Sequence, residues 1–208
     1  QVTAFKDRVY ETYGEVAVLM NNAGIGRGGG AFDHYDRWKT LMAVNLWGVI
    51  NGVHAFTEAM IAQGTDAAIV NTGSKQGITN PPGDAAYNVT KAGVKSLTES
   101  LAYQLSGLEG CRVSAHLLIP GFTYTGITSQ RGGEKPPAAW TAEQVVDEML
   151  EGIGRGDFYI LGPDNDVTRA MDEKRVQWMA DDLIQNRPAL SRWRPEFKDE
   201  FAAWMARD

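Results

Sequence analysis

Four apolar runs alternate with helical stretches along this chain, and that alternation constrains the fold more than any other feature. The runs read as strands at 16–22, 67–73, 112–119 and 157–161. Helical patterns occupy 3–13, 35–63, 87–106 and 141–152. Strands separated by helices imply crossover connections, hence a parallel sheet and an α/β fold. A run that is apolar throughout, such as Ala67–Val70, fits a sheet covered on both faces. Gly14 and Gly64 stop the first two helices, and Gly107 with Gly110 brackets the turn after the third. Thr141 and Gln144 have the spacing of a capping box.

The 208 residues suffice for one domain with a substantial core. A net charge of −6 and a lack of clustered Lys or Arg argue against a nucleic-acid surface. No apolar run approaches the ~20 residues of a membrane span. No signal peptide is visible. A single cysteine, Cys111, allows no internal disulfide and is expected to be a small core residue. These features point to the cytoplasm. His34, His54 and His116 show no ligand spacing, so no catalytic metal is expected. Gly26–Gly30 lacks the Gly-Lys-Ser/Thr of a phosphate loop and reads as a flexible connection. Asp164-Asn165-Asp166 lacks the Gly and distal Glu of a calcium loop.

Chemistry concentrates at Tyr87 and Lys91. Four residues apart on a helix, the phenol and the ammonium share one face. A cation there is expected to lower the tyrosine pKa, as a general acid/base for an alcohol or carbonyl requires. Ser74 closes the run Ala67–Gly73, at the strand end where open α/β sheets place ligands. The spacing alone is weak evidence, because Tyr35 and Lys39 repeat it in the polar stretch Asp33–Arg37. That copy reads as a solvated helix start.

Other signals surround the Tyr87 copy. Asn21-Asn22-Ala23-Gly24 closes the run Val16–Met20, Asn45 interrupts the stretch Leu41–Gly48, and Pro120-Gly121 closes Val113–Ile119, with Thr123 and Thr125 following. In this order the set resembles the classical short-chain dehydrogenase/reductase family over roughly residues 1–165. The resemblance implies a three-layer, doubly wound, Rossmann-like parallel sheet and an NAD(P)-dependent oxidoreductase acting on a secondary alcohol or ketone. By resemblance the catalytic set is Asn45, Ser74, Tyr87 and Lys91, with Tyr87 as acid/base and Ser74 on the same substrate oxygen. Lys91 would also hold the nicotinamide ribose, and the main chain at Asn45 a water. Asn22, Ala23 and Gly24 would line the adenosine side of the NAD or NADP site. Pro120, Gly121, Thr123 and Thr125 would meet the nicotinamide and diphosphate, although the family prefers an aliphatic residue where Thr123 stands.

The family's opening strand, Gly-rich turn and second strand have no match here. Residues 3–13 read as the helix before the family's fourth strand, so the first βαβαβ, roughly 60–70 residues, is expected to be absent ahead of Gln1. Residues 122–140, with Arg131-Gly132-Gly133 and Pro136-Pro137, read as a lid over the substrate. After residues 1–165, the partial catalytic domain, residues 166–208 form a helical extension with Trp178, Trp193 and Trp204 as core or subunit contacts. A homodimer or homotetramer through helices 35–63 and 87–106 is expected. The alternative is a cofactor-free binding or scaffold protein that keeps this core.

Overall fold

The computed structural model describes residues 1–129 and 134–207. Four strands, β1 (Val18–Asn21), β2 (Ala67–Thr72), β3 (Val113–Ile119) and β4 (Tyr159–Leu161), form one parallel sheet in chain order. The helices are α1 (Val2–Tyr13), α2 (Tyr35–Leu41), α3 (Gly48–Ala62), α4 (Gln76–Thr79), α5 (Ala85–Ser106), α6 (Ala142–Arg155), α7 (Arg169–Ile184) and α8 (Lys198–Met205).

Side chains alternate across the sheet and build two cores. Ile69, Ala115, Leu117 and Leu161 point to one side, where they meet Val53 and Phe56 of α3 and Val94 and Leu101 of α5. Val2 and Tyr10 of α1 pack against the same cluster. Val70, Leu118 and Ile160 point to the other side and meet Met149 of α6. Helices therefore cover both faces, which is the expected three-layer α/β fold. On the α6 side of β1, at the edge of the sheet, Val18 and Met20 stay 46% and 37% exposed.

The expected helix 35–63 is continuous but irregular. A π-helical turn, Met42–Trp47, joins α2 to α3 and carries Asn45. The helix expected from residue 87 begins at Ala85, because Asp84 caps it by accepting the Tyr87 N–H. Thr141 and Gln144 form the predicted capping box on α6. In the tail, Trp178 is buried and meets Phe201 edge-on at 5.2 Å, with the Arg187 guanidinium 4.1 Å from its ring. Of the expected lid, Gln130, Arg131, Gly132 and Gly133 lie outside the described residues. The part before them is held by a short parallel pairing of Thr123 with Trp140.

Candidate active site

The carboxyl ends of β1, β2 and β3 open into a cleft of about 1730 Å³. Asn22, Ala23 and Gly24 enter from β1, Ser74 follows β2, and Pro120, Gly121, Thr123 and Thr125 follow β3. Tyr87 and Lys91 reach in from the first turns of α5. All these expected residues line one space. Asn45 lies behind its wall, fully buried, and acts on the wall itself. Its Oδ1 accepts the Ile25 N–H, and its Nδ2 donates to the Ile25 carbonyl, both at 2.8 Å. Nδ2 also lies 3.4 Å from Thr90 Oγ1, and that hydroxyl donates to the Tyr87 carbonyl at 2.7 Å.

Lys91 is 4% exposed, and its ammonium donates to the Thr72 carbonyl at 2.7 Å. It sits 5.7 Å from the centre of the Tyr87 ring. Tyr35 and Lys39 have nearly the same separation, 5.1 Å, yet Tyr35 is 75% exposed. Burial, not spacing, distinguishes the two pairs. Loss of solvent pulls the Lys91 ammonium down from 10.5 to about 8.

The expected depression of the Tyr87 pKa is not what the structure gives. Burial pushes the phenol above its ordinary value, the Ser74 hydroxyl opposes this, and the Asp84 carboxylate adds to it. Desolvation is the largest influence and outweighs the helpful neighbour.

Two features escaped the sequence. Asp84 does more than cap α5: its Oδ2 accepts the Arg27 N–H at 3.0 Å and its Oδ1 the Gly28 N–H at 2.9 Å. Gly28 is buried, and a Cβ there would lie 2.5 Å from that of Ala86. The Gly26–Gly30 segment is thus clamped to the site at this point and is not the loose connection expected. An Asp directly before a helix was the available signal. The second feature is Lys75, whose ammonium turns to Asp164, just past the end of β4, and to Asp172 of α7; no local motif marks contacts so distant. Among the described residues, no cluster of His, Cys, Asp or Glu could hold a metal ion, and no helix is long and apolar enough to cross a membrane.

The chain is similar to known dehydrogenases and reductases. The short chain dehydrogenase family matches residues 1–135. The sulfoacetaldehyde reductase of Chromohalobacter salexigens is 35% identical over 151 residues, 67% of this chain and 58% of that protein. A Burkholderia phymatum short chain dehydrogenase/reductase, solved in complex with NAD, superposes with a TM-score of 0.78 at 32% identity, covering 90% of this chain and 73% of that one. A gluconate 5-dehydrogenase from Burkholderia cenocepacia, solved with NADP and tartrate, gives a TM-score of 0.60 at 31% identity, covering 71% and 61%. With this match over residues 1–135 and a parallel sheet at whose carboxyl edge Ser74, Tyr87 and Lys91 line one cleft, the chain belongs to the short chain dehydrogenase family.

Proposed function

We propose that the protein is an NAD(P)-dependent oxidoreductase that interconverts a secondary alcohol and a ketone. The observation that carries this reading is the convergence of Ser74, Tyr87 and Lys91 on one cleft at the carboxyl edge of the sheet. Relatives named as reductases and dehydrogenases, and neighbours solved with NAD or NADP, support it.

The residues present fit a nicotinamide dinucleotide. An ammonium has three donors, and only the bond from Lys91 to the Thr72 carbonyl is made among the described residues, so donors remain for ribose hydroxyls. Gly24 brings bare backbone beside Lys91: a Cβ there would lie 3.9 Å from Nζ. Asn22 and Ala23 would flank the adenosine half, and Pro120, Gly121, Thr123 and Thr125 the other half. The nicotinamide, when bound, supplies or accepts the hydride. Tyr87 gives a proton to the carbonyl oxygen during reduction and takes one back during oxidation. Ser74 donates a hydrogen bond to that oxygen and holds it in place. Lys91 holds positive charge near the phenol, and Asn45 keeps the Gly24–Ile25 wall in position. We further read helices 35–63 and 87–106 as subunit contacts of a homodimer or homotetramer, with Trp47, Val89 and Tyr103 exposed on them.

A fluorescence titration with NADH and NADPH, followed by turnover of a ketone panel, tests the reading. Micromolar binding with turnover abolished by Tyr87→Phe is expected. Failure to bind either nucleotide favours the cofactor-free scaffold.

A further inference from the structure

Lys75 directly follows Ser74 and buries its charge among acids contributed from beyond β4. Its Nζ lies 2.5 Å from Asp172 Oδ2 on α7 and 3.5 Å from Asp164 Oδ2. Both acids are at least nine-tenths buried at the side chain. Arg175 reaches Asp172 Oδ1 at 3.4 Å. Asp164 accepts backbone N–H groups from Phe122, Asp166 and Val167. The Lys75–Asp172 contact is ionic, without the alignment of a hydrogen bond. Burying such charges commonly costs as much as their attraction returns, so fold stability is a poor reason for them to be there.

A better reason lies one residue away. The Ser74 hydroxyl accepts the Gln76 N–H at 3.2 Å, and the Ser74 carbonyl accepts the Gly77 N–H at 2.9 Å. Lys75 is the middle residue of that turn. Anchoring its side chain anchors the peptide that aims the Ser74 hydroxyl. The same acids tie the turn to the loop after β3 and to α7.

We propose that Lys75, held by Asp172 of α7, is a positioning residue that fixes the Ser74 hydroxyl against Tyr87. This rests on the hydride-transfer reading above. The tail after β4 thereby takes part in the reaction without touching the substrate.

The test uses the full chain, diacetyl as the carbonyl probe, and NADH and NADPH in turn. Lys75→Met should lower kcat about tenfold, in keeping with a small misplacement of one catalytic group, while nucleotide KM stays put. Asp172→Asn, nearly isosteric, should do the same, and Lys75→Arg should restore most of the rate. In a Ser74→Ala background Lys75→Met should add nothing, because the group it positions is gone. Without nucleotide, amide exchange at Gln76 should quicken in Lys75→Met. Equal losses in both backgrounds, kcat within twofold of wild type, or unchanged Gln76 exchange would each overturn the proposal. Ser74→Ala at full rate would instead strike the hydride-transfer reading on which it rests.

Discussion

Asn45 and Ile25 exchange two hydrogen bonds, side chain to main chain in both directions, each 2.8 Å long. The amide replaces the partner a β-strand would have offered Ile25, at the point where the chain has just left β1. The π-helical turn sets Asn45 at this place in the helix. Asn45→Ala would leave the Ile25 N–H and carbonyl without these partners. A loss of about 1–3 kcal/mol is expected, read by urea denaturation. It should come with weaker nucleotide binding, because Gly24 and Ile25 line the cleft. A change below ~0.5 kcal/mol, the range of an ordinary surface substitution, would show that the side chain is not the clamp.

Tyr87→Phe removes the proposed proton donor and little else. Turnover should fall by about 10²–10⁴, the usual worth of a positioned acid or base. Nucleotide affinity should hold, since neither Lys91 nor the Gly24 wall loses a partner. Steady-state kinetics beside a binding titration separates the two effects. Retention of more than a third of the wild-type rate would remove Tyr87 from the reaction.

Two neighbours push the Tyr87 phenol in opposite directions, and the signs can be checked. Alcohol oxidation needs the phenolate, so its rate should rise with pH through the Tyr87 pKa. The Ser74 hydroxyl favours the phenolate and the Asp84 carboxylate disfavours it. Ser74→Ala should therefore move the rise to higher pH, and Asp84→Asn should move it lower. Normalised pH–rate profiles measure both shifts. Movement of the two variants in the same direction would contradict this electrostatic account.

The strand–helix alternation was readable because the apolar runs of buried parallel strands are short and bounded by helix-length segments. The cleft residues were readable because Tyr87, Lys91, Ser74 and the Gly24 and Gly121 turns sit at strand ends and on one helix face. The Tyr87 pKa was misjudged because burial depends on the whole fold, whereas residue spacing gives only proximity. The clamp by Asp84 on Gly28 spans 56 residues in sequence, and the Lys75–Asp172 pair joins β2's end to the tail. Such contacts leave no periodic trace. The π-helical turn at Asn45 also lay hidden, since an apolar helical pattern marks a helix without saying which carbonyl each N–H meets.

Lys91 gives a stability prediction with a definite sign. Burial lowers its pKa from 10.5 to about 8. Between these values the unfolded chain holds a proton that the folded chain has released. Stability should then rise with pH from about 8 to 10.5, and the cost of burying the charge is greatest below 8. Lys91→Met removes this contribution. The difference in unfolding free energy between wild type and variant, followed across pH 7–11, should tilt toward the wild type as pH rises. A flat difference would mean that Lys91 keeps its ordinary pKa in the fold.

Gly77 tests how closely the cleft floor is built. A Cβ at this position would lie 2.6 Å from the Lys91 carbonyl carbon and 2.7 Å from its oxygen. These are backbone atoms inside α5, so no side-chain rotation relieves the clash. Gly77→Ala must push α4 away from α5 at the residue that carries the ammonium. A cost of about 1–3 kcal/mol is expected, as for other overpacked sites, and nucleotide affinity should fall with it. Gly154 of α6 is the control, because a Cβ there meets nothing within 4 Å. Gly154→Ala should stabilise by about 0.5–1 kcal/mol through helix propensity alone. Thermal denaturation of both variants, with a nucleotide titration of each, measures the contrast. If Gly77→Ala proves as benign as Gly154→Ala, α4 does not press on Lys91, and the close packing beneath the cleft is not what holds the ammonium in place.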